Sequence, residues 1–323
     1  MRILVTGGAG FIGSHYVRTL VSGGYPAFSG ARVTVLDKLT YAGNLANLEP
    51  VEGGFDFVHG DVCDAALLAE TVPGHDVVVH FAAESHVDRS IDGAAEFLRT
   101  NVVGTQTLLQ ACLDAGVSKV VHVSTDEVYG SIESGSWDEE APLRPRSPYA
   151  ASKAGGDLIA RAYGVTHGLP VAVTRCGNNY GPYQFPEKLV PLFVTRLLDG
   201  RKVPLYGDGG NVRDWVHVED HCRGIQLVAE RGEPGEIYHI AGTAELTNKE
   251  LTGRLLEAFG LGWDMVEHVP DRKGHDRRYS LDDAKIRALG HRPSVAFDDG
   301  LRDTIAWYAA NSGWWKPLSG ARR

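Results

Sequence analysis

Side chains that could carry acid–base chemistry follow a short run of β-branched and apolar residues. That run, residues 119–123, is typical of a buried strand. Thr125, Asp126 and Glu127 come just after it. Ligands bind at the carboxyl ends of the strands in open α/β sheets, and we therefore expect these three side chains to face a ligand. An acidic pair after a strand is also common in solvated loops, so the pair alone does not establish a site.

A tyrosine and a lysine follow at the spacing of one helical turn. Residues 147–148 are Ser-Pro, which is typical of a helix start with serine as the N-cap. Tyr149 and Lys153 then share one face of that helix. Because a nearby ammonium lowers the pKa of a phenol, the pair could act as the general base for a hydroxyl proton. Many helices carry such a pair on their surface, and the surrounding elements are what favour a catalytic function here.

A glycine-rich turn near the N-terminus is the first of those elements. Gly7, Gly10 and Gly13 stand three residues apart, directly after a short apolar run. Such a turn lets backbone N–H groups approach a pyrophosphate at the start of the next helix. The following predicted strand ends in Asp37, whose carboxylate can bond the ribose hydroxyls and repels a 2′-phosphate. We therefore predict NAD as the cofactor, although the neighbouring Lys38 weakens the preference over NADP.

Strands and helices alternate through the first half of the chain. The predicted strands are residues 2–5, 32–36, 55–61, 76–83, 119–123 and 171–175. This alternation is typical of a doubly wound parallel sheet. We predict an α/β protein with a Rossmann-type, NAD-binding domain over residues 1–178, to which the chain returns at about 214–240. A smaller α/β substrate-binding lobe is predicted for residues 179–323.

The chain changes character after residue 178. Residues 178–186 are polar and aromatic without a strand period and predict a loop, whereas residues 189–198 predict a helix. Residues 271–279 form a charged cluster that contains several arginines. Arginine clusters bind pyrophosphate well, so this cluster is a candidate phosphate site, with a solvated loop as the alternative.

Composition and charge limit the classes of function. The chain of 323 residues is 43% hydrophobic and 23% charged, as is usual for globular proteins. Its net charge of −9 argues against a nucleic-acid surface. No segment approaches the roughly 18 apolar residues of a membrane-spanning helix, and the N-terminus does not resemble a signal peptide. The four cysteines form no C-x-x-C motif. We therefore expect a cytoplasmic protein without a metal site and without nucleic-acid or membrane partners.

Longer motifs make a family resemblance specific. The three glycines together with Tyr149-x-x-x-Lys153 resemble the extended short-chain dehydrogenase/reductase superfamily. Within it, the segments 86–90, 124–130, 178–189, 213–215 and 274–276 resemble the dTDP-glucose 4,6-dehydratase family. The resemblance covers nearly the whole chain. It implies tightly held NAD, dTDP-glucose as the substrate and a homodimer formed through a four-helix bundle. Gly177 departs from the family pattern, in which serine is common at that position.

The resemblance also implies a reaction. The family oxidises C4 of the glucosyl ring, eliminates water across C5 and C6, and returns the hydride to C6, which yields a 4-keto-6-deoxy sugar nucleotide. By this resemblance, Tyr149 takes the C4 hydroxyl proton, Lys153 lowers the pKa of Tyr149 and holds the nicotinamide ribose, and Thr125 bonds the C4 oxygen. Glu127 removes the C5 proton and Asp126 protonates the departing C6 hydroxyl. Two neighbouring carboxyls in opposite protonation states are a recurring acid–base arrangement.

The binding positions of the family map onto both predicted domains. The expected cofactor-binding residues are Gly7, Gly10, Phe11, Ile12, Gly13, Asp37, Lys38, Leu39, Thr40, Asp61, Val62, Ala82, Ala83, Ser85, Thr100, Tyr149, Lys153 and Asn179. The expected substrate-binding residues are Ser85, Thr125, Asn178, Lys188, Leu189, Pro204, Tyr206, Arg213, Asn248, Asp271, Arg272 and His275.

Two other readings of the sequence are weighed against this one. A 4-epimerase or decarboxylase acting on another sugar nucleotide, such as a UDP-sugar, shares the fold. An epimerase needs no acid and base after the ketone forms, so Asp126 and Glu127 argue against it. A non-catalytic NAD-binding scaffold would be expected to lack the Tyr149 and Lys153 pair, which is intact. Thymidine rather than uridine rests on the resemblance alone, and either a rhamnose or a secondary-metabolite route could use the product.

Overall fold

A seven-stranded parallel sheet lies at the centre of the computed structural model, which describes residues 1–319. The strands in chain order are β1 (Arg2–Thr6), β2 (Arg32–Asp37), β3 (Asp56–His59), β4 (Val77–His80), β5 (Lys119–Thr125), β6 (Val171–Cys176), β7 (Asn178–Tyr180), β8 (Val203–Tyr206), β9 (Val212–His217), β10 (Ile237–Ile240), β11 (Ala244–Thr247) and β12 (Val266–Val269). The large sheet has the order β10-β6-β5-β4-β1-β2-β3. The strand order reverses between β1 and β4, and ligands bind at such a switch point.

Helices cover both faces of the large sheet. In chain order they are α1 (Phe11–Val21), α2 (Ala65–Thr71), α3 (Val87–Asp92), α4 (Ala94–Leu98), α5 (Thr105–Ala115), α6 (Pro148–His167), α7 (Leu189–Leu198), α8 (Val218–Arg231), α9 (Asn248–Ala258), α10 (Ala284–Ala288), α11 (Phe297–Ala310) and α12 (Ser312–Ser319). Side chains of α1 and α8 pack on one face with Val77 and Val79, while α2, α5 and α6 pack on the other with Val78. Alternate residues of β4 thus enter opposite cores, which explains its continuous apolar run. The prediction of a Rossmann-type, doubly wound sheet is confirmed.

Two small sheets lie outside the large one, with the orders β11-β9-β7 and β12-β8. Their core includes side chains of α7, α9 and α11. The prediction that residues 178–186 form only a loop is wrong at its start, because Asn178–Tyr180 is a strand that pairs in parallel with β9. Three residues carry no readable period, and this pairing depends on a partner strand more than 30 residues further along the chain. Beyond β9, the chain returns to the large sheet through α8 and β10.

The helix that carries Tyr149 and Lys153 begins and ends as its sequence dictates. The side chain of Ser147 accepts a hydrogen bond from the backbone N–H of Ala150, and Pro148 occupies the first turn. The helix ends at Gly168, whose φ of 69° places it in the left-handed region. The predicted helix start is confirmed, and it fixes Tyr149 in the first turn of α6.

Candidate active site

The turn between β1 and α1 brings glycine backbone into contact with the neighbouring strand connection. A Cβ atom on Gly7, whose φ is 69°, would lie 2.5 Å from the backbone nitrogen of Ala82. A Cβ atom on Gly13 would lie 2.3 Å from the carbonyl oxygen of Gly7. Only glycine fits at these two positions, and the turn leads into the N-terminus of α1. Such a cradle suits a pyrophosphate group.

Asp37 lies at the carboxyl end of β2, beside that turn. Its two carboxylate oxygens accept hydrogen bonds from the backbone N–H groups of Ala9 (2.9 Å) and Leu39 (2.8 Å). Burial raises the pKa of Asp37, and these two hydrogen bonds oppose that effect. Each oxygen keeps a further lone pair, so the carboxylate can still accept from ribose hydroxyls. Lys38 pairs with Asp61 at 2.9 Å.

A cavity of about 330 Å³ opens at this edge of the large sheet. All but one of the predicted cofactor-binding residues line it, namely Gly7, Gly10, Phe11, Ile12, Gly13, Asp37, Lys38, Thr40, Asp61, Val62, Ala82, Ala83, Ser85, Thr100, Tyr149, Lys153 and Asn179. The exception is Leu39, whose φ of 53° turns the chain away from β2. The glycine cradle, Asp37 and this lining together fit a dinucleotide.

The predicted catalytic residues line the same cavity. Thr125 ends β5, and its hydroxyl accepts from the backbone N–H of Glu127 (3.3 Å), which caps the short 3-10 turn Asp126–Tyr129. The same hydroxyl donates to Oδ1 of Asp126 at 3.1 Å. The other carboxyl oxygen of Asp126 is buried and has no hydrogen-bond partner among residues 1–319. This oxygen is available to a bound molecule.

The two acidic side chains have different electrostatic surroundings. Burial raises the pKa of Asp126 well above its usual range, and the nearby Glu127 and Asp214 raise it further. Burial also raises the pKa of Glu127, but Arg272, Lys188 and Arg213 lower it. Asp126 is thus favoured as a neutral acid, whereas three cations favour the ionised form of Glu127.

Tyr149 and Lys153 are both buried against the cavity, one helical turn apart on α6. Burial raises the pKa of Tyr149 well above 10, the charge of Glu127 adds to this, and a hydrogen bond with Thr125 opposes it. The ammonium group of Lys153 donates to the carbonyl oxygen of Val123 at 2.7 Å. The lowering of the Tyr149 pKa by Lys153 stays a prediction.

The predicted substrate-binding residues fall into two groups. Those that line the cavity are Ser85, Thr125, Asn178, Lys188 and Leu189. Those outside its lining are Pro204, Tyr206, Arg213, Asn248, Asp271, Arg272 and His275. Lys188 connects to the cofactor side of the cavity, because its ammonium group donates to the carbonyl oxygen of Ser85.

Most members of the second group lie close to one another. The imidazole of His275 is 2.7 Å from Asp271, and its ring centre is 6.3 Å from that of Tyr206. Arg272 lies 3.6 Å from Asp88, and its Nε is buried without a partner among the described residues. Buried donors of this kind are usually satisfied, so this Nε is a candidate contact for a ligand.

Two further residues of this group stand on separate elements. Arg213 lies on β9, where it donates to the carbonyl oxygen of Asp276 at 3.0 Å and stacks over the Tyr279 ring at 4.3 Å. Asn248 begins α9, and its side-chain oxygen is buried with no partner within residues 1–319. The charge of Arg213 reaches both Asp126 and Glu127, so this group of residues borders the catalytic carboxyls.

The sequence interpretation missed several residues of the cavity. They include Glu84, Cys176, Gly177, Gln184, Glu187, Trp215 and His221. Cys176 is the last residue of β6 and Gly177 follows it, so the rule that ligands bind at the carboxyl ends of strands could have found them. At Gly177, a Cβ atom would lie 2.9 Å from a carboxylate oxygen of Asp214, whose pKa burial raises to about 7. Glycine here lets Asp214 lie directly against the chain.

Metal-binding clusters and membrane-spanning helices are both absent from the described residues. Among residues 1–319, no group of three or more His, Cys, Asp or Glu side chains is arranged to hold a metal ion. No helix within that range is long and apolar enough to cross a membrane.

Comparison with known proteins gives one family. The model of the GDP-mannose 4,6 dehydratase family matches residues 4–304. The dTDP-glucose 4,6-dehydratase of Streptomyces niveus is 61% identical over 98% of this chain and 96% of its own length. The crystal structure of DesIV, a dTDP-glucose 4,6-dehydratase from Streptomyces venezuelae with NAD and dTDP bound, is 67% identical. It covers 98% of this chain and 100% of its own, with a TM-score of 0.97.

A more distant similarity extends to epimerases. The Thermus thermophilus UDP-glucose 4-epimerase in complex with NAD is 36% identical, covers 96% of this chain and 100% of its own, and has a TM-score of 0.88. The resemblance read from the sequence motifs is therefore confirmed. The chain belongs to the GDP-mannose 4,6 dehydratase family, in the group of the dTDP-glucose 4,6-dehydratases.

Proposed function

We propose that this protein is an NAD-dependent dTDP-glucose 4,6-dehydratase, which converts dTDP-D-glucose into dTDP-4-keto-6-deoxy-D-glucose and water. Relatives at 61% and 67% identity carry that name. The single observation that carries the proposal is the pair of adjacent carboxyls in opposite environments, Asp126 and Glu127, beside Tyr149 in one cavity. An elimination of water needs both an acid and a base, and this pair supplies them.

NAD fits the cavity through the chain's own residues. The cradle of Gly7 and Gly13 holds the pyrophosphate, and Asp37 accepts from the adenosine ribose. The same carboxylate disfavours a 2′-phosphate, because two negative charges would meet. When bound, NAD accepts a hydride from C4 of the sugar and returns one to C6, so no net oxidant is consumed.

Oxidation at C4 uses three side chains. The phenol oxygen of Tyr149 accepts the C4 hydroxyl proton, and the Thr125 hydroxyl bonds the C4 oxygen. Lys153 gives one N–H to Val123 and retains two more, which can bond the nicotinamide ribose. The Lys153 ammonium, one helical turn from Tyr149, favours the phenolate form that can take this proton, against the effect of burial.

Elimination uses the carboxyl pair. The ketone at C4 makes the C5 proton acidic, and the carboxylate of Glu127 removes it. The carboxyl group of Asp126 is kept protonated by burial and by the neighbouring charge of Glu127. It gives its proton to the C6 hydroxyl, which leaves as water.

The nucleotide is held by the lobe that follows residue 178. We assign the large sheet (residues 1–178, with a return at about 214–240) to NAD and residues 179–323 to the sugar nucleotide, of which residues 320–323 lie outside the described chain. Arg213 and Arg272 face the diphosphate, since guanidinium groups bind phosphate oxygens in pairs. Asn248, with its unpartnered buried oxygen, accepts from the substrate. The partial burial of His275 beside Tyr206 supports a contact with the nucleoside.

The test is incubation of the purified protein with dTDP-glucose, followed by detection of a 4-keto-6-deoxy sugar. The matched arm uses UDP-glucose and UDP-galactose, because the similarity to a UDP-glucose 4-epimerase makes epimerisation the second candidate. Interconversion of the UDP-sugars without any keto product would replace the dehydratase assignment by an epimerase. No reaction with either substrate would favour a scaffold that only binds NAD.

A homodimer is the proposed assembly. Exposed apolar side chains lie on α6 and on the helical segments that pack against it. They are Leu98 (52% exposed), Val103 (52%), Leu158 (55%) and Val165 (88%). Leu158 and Val165 are seven residues apart on α6 and therefore share one face. A second copy that presents the same face would bury these side chains in a four-helix bundle.

We also place the enzyme in the cytoplasm. Cys63, Cys112, Cys176 and Cys222 are all unpaired thiols. Free thiols are usual in a reducing compartment, and disulfides are usual outside it. The substrate and NAD are the only partners proposed besides the second copy of the chain.

A further inference from the structure

A buried ion-pair network on α6 has no part in the reaction described so far. Oδ2 of Asp157 accepts a hydrogen bond from Nε of Arg175 at 2.9 Å, and its Oδ1 lies 3.3 Å from Nε2 of His122. Asp157 is 0% exposed, and Arg175 and His122 are each 1% exposed. Charges are rarely buried so completely without a function or a complete set of partners.

One oxygen of that carboxylate is incompletely satisfied. Oδ1 of Asp157 has no aligned hydrogen bond with any residue in 1–319, despite the nearby His122 ring. Asp157 follows Lys153 by four residues on α6, so both side chains lie on the same face of the helix. Lys153 is only 5% exposed, and its ammonium group donates to the carbonyl oxygen of Val123. A buried anion thus lies one turn from a buried cation on the same face of α6, with the His122 ring and the Ser124 hydroxyl beside the anion.

The other groups around Lys153 are neutral. Burial lowers the pKa of Lys153, and Asp157 is the first of the groups that raise it. The rings of His80 on β4 and His122 on β5 have pKa values lowered by burial, so both are uncharged at neutral pH. Burial raises the pKa of the Cys176 thiol on β6, which is therefore also uncharged. Among these neighbours of the Lys153 ammonium, Asp157 is the one that carries a negative charge.

We propose that Asp157 is a positioning residue that keeps Lys153 charged and in place next to the cavity, with Arg175 holding the Asp157 carboxylate. The inference rests on the proposed function only in its consequence for turnover. In the proposed reaction, Lys153 must be an ammonium to act on Tyr149 and on the nicotinamide ribose. A buried lysine without a counter-ion loses its proton near neutral pH.

The direct test follows the titration of Lys153 in the NAD-loaded protein. Lysine labelled with ¹³C at Cε gives a resonance whose shift reports the ammonium, and the resonance lost in Lys153→Arg identifies it. In Asp157→Asn, the titration midpoint of Lys153 should fall by about one to three pH units, because an opposite charge at this range shifts a pKa by that amount. Asp157→Glu is the control that retains the charge, and its midpoint should stay close to that of the wild type.

A second variant keeps the test decisive if Asp157→Asn fails to fold. Asp157→Asn leaves Arg175 buried and unpaired, which is destabilising. The double variant Asp157→Asn/Arg175→Gln removes both charges, with glutamine a shorter polar replacement for arginine, and replacement of a whole buried pair is often tolerated. Its Lys153 midpoint should also fall. An unchanged midpoint in the folded single or double variant overturns the proposal.

The activity test uses the pH profile of kcat. In Asp157→Asn, the fall of kcat on the alkaline side of the profile, its basic limb, should begin at a lower pH than in the wild type. Activity should return when the pH is lowered again. The same change in a Lys153→Arg background should leave the basic limb in place, since a guanidinium does not titrate. A shift that persists in that background would mean that Asp157 acts through another group. If the protein shows no dehydratase activity, the proposed function fails, while the titration of Lys153 still decides the role of Asp157.

Discussion

Asp126 and Glu127 are neighbours in sequence, and burial raises the pKa of both, yet the charges around them differ. Asp126 lies near two other carboxyls, Glu127 and Asp214, and is held in its neutral form. Glu127 lies near three cations, of which Arg272 has the largest effect. None of these three cations lies near Glu127 in the sequence. The difference between the two carboxyl environments therefore arises from residues that the fold brings to the pair.

Glu127→Gln separates oxidation from elimination. The amide keeps the shape of the side chain and removes the base, so C4 oxidation should continue while loss of water slows by about 10²–10⁴-fold. We expect reduced cofactor to accumulate on mixing with dTDP-glucose, and solvent deuterium to enter C5 slowly. Absorbance of the reduced nicotinamide and mass spectrometry of the sugar measure these two effects. Equal loss of oxidation and elimination would mean that Glu127 shapes the pocket rather than acting as the base.

Asp126→Asn tests the acid. The amide cannot give a proton to the C6 hydroxyl, so turnover should fall while C4 oxidation persists. A substrate with a better leaving group at C6 needs less assistance from an acid, and it should restore much of the lost rate. Glu127→Gln provides the control, because its defect lies at C5 and the better leaving group should help it less. Equal rescue of the two variants would contradict the separate roles.

Helices and strands could be predicted from the sequence more fully than contacts between side chains. The helix start at Ser147 and a strand over residues 119–123 follow from local patterns, and the structure confirms both, although the strand extends two residues further, to Thr125. The strand β7 has only three residues and could not be read locally, because pairing with β9 creates it. The position of the Lys153 ammonium also could not be predicted locally, since it depends on the carbonyl oxygen of Val123 on β5.

The turn between β1 and α1 allows an experiment with a matched control. Gly7 and Gly23 both have a positive φ (69° and 76°), so alanine at either position costs about 1 kcal/mol in backbone strain. Only at Gly7 would the added Cβ meet other atoms, 2.5 Å from the backbone of Ala82, whereas Gly23 has open space. Gly7→Ala should displace the cradle and lower NAD retention more than 10-fold. Gly23→Ala should lower Tm slightly and leave NAD content unchanged.

NAD content after purification and Tm by calorimetry measure the two glycine variants. Loss of NAD in both would show that general destabilisation, rather than the cradle, releases the cofactor. Retention of NAD in Gly7→Ala would show that this turn does not bind the pyrophosphate.

Across the whole molecule, the active site depends on segments that are far apart in the chain. Arg213 on β9 and Arg272 beyond β12 both act on Glu127, which follows β5. The C-terminal helix also reaches the cofactor side, because the Trp314 indole donates to Asn47, whose amide donates to the carbonyl oxygen of Ala9. Both lobes must therefore be folded together before the carboxyl pair has its final electrostatic environment.

Assembly of two chains gives the last prediction. Leu158 and Val165 are 55% and 88% exposed on one face of α6, which is more than apolar side chains of this size usually show. Leu158→Glu/Val165→Glu should place four charges in the proposed bundle and shift the mass in solution from about twice 34.9 kDa to 34.9 kDa. Leu261→Glu is the control, because Leu261 is also exposed (37%) but lies after α9 in the other lobe. Light scattering after gel filtration distinguishes the outcomes. A wild type of 34.9 kDa, or a double variant that remains dimeric, would show that these side chains do not form the interface.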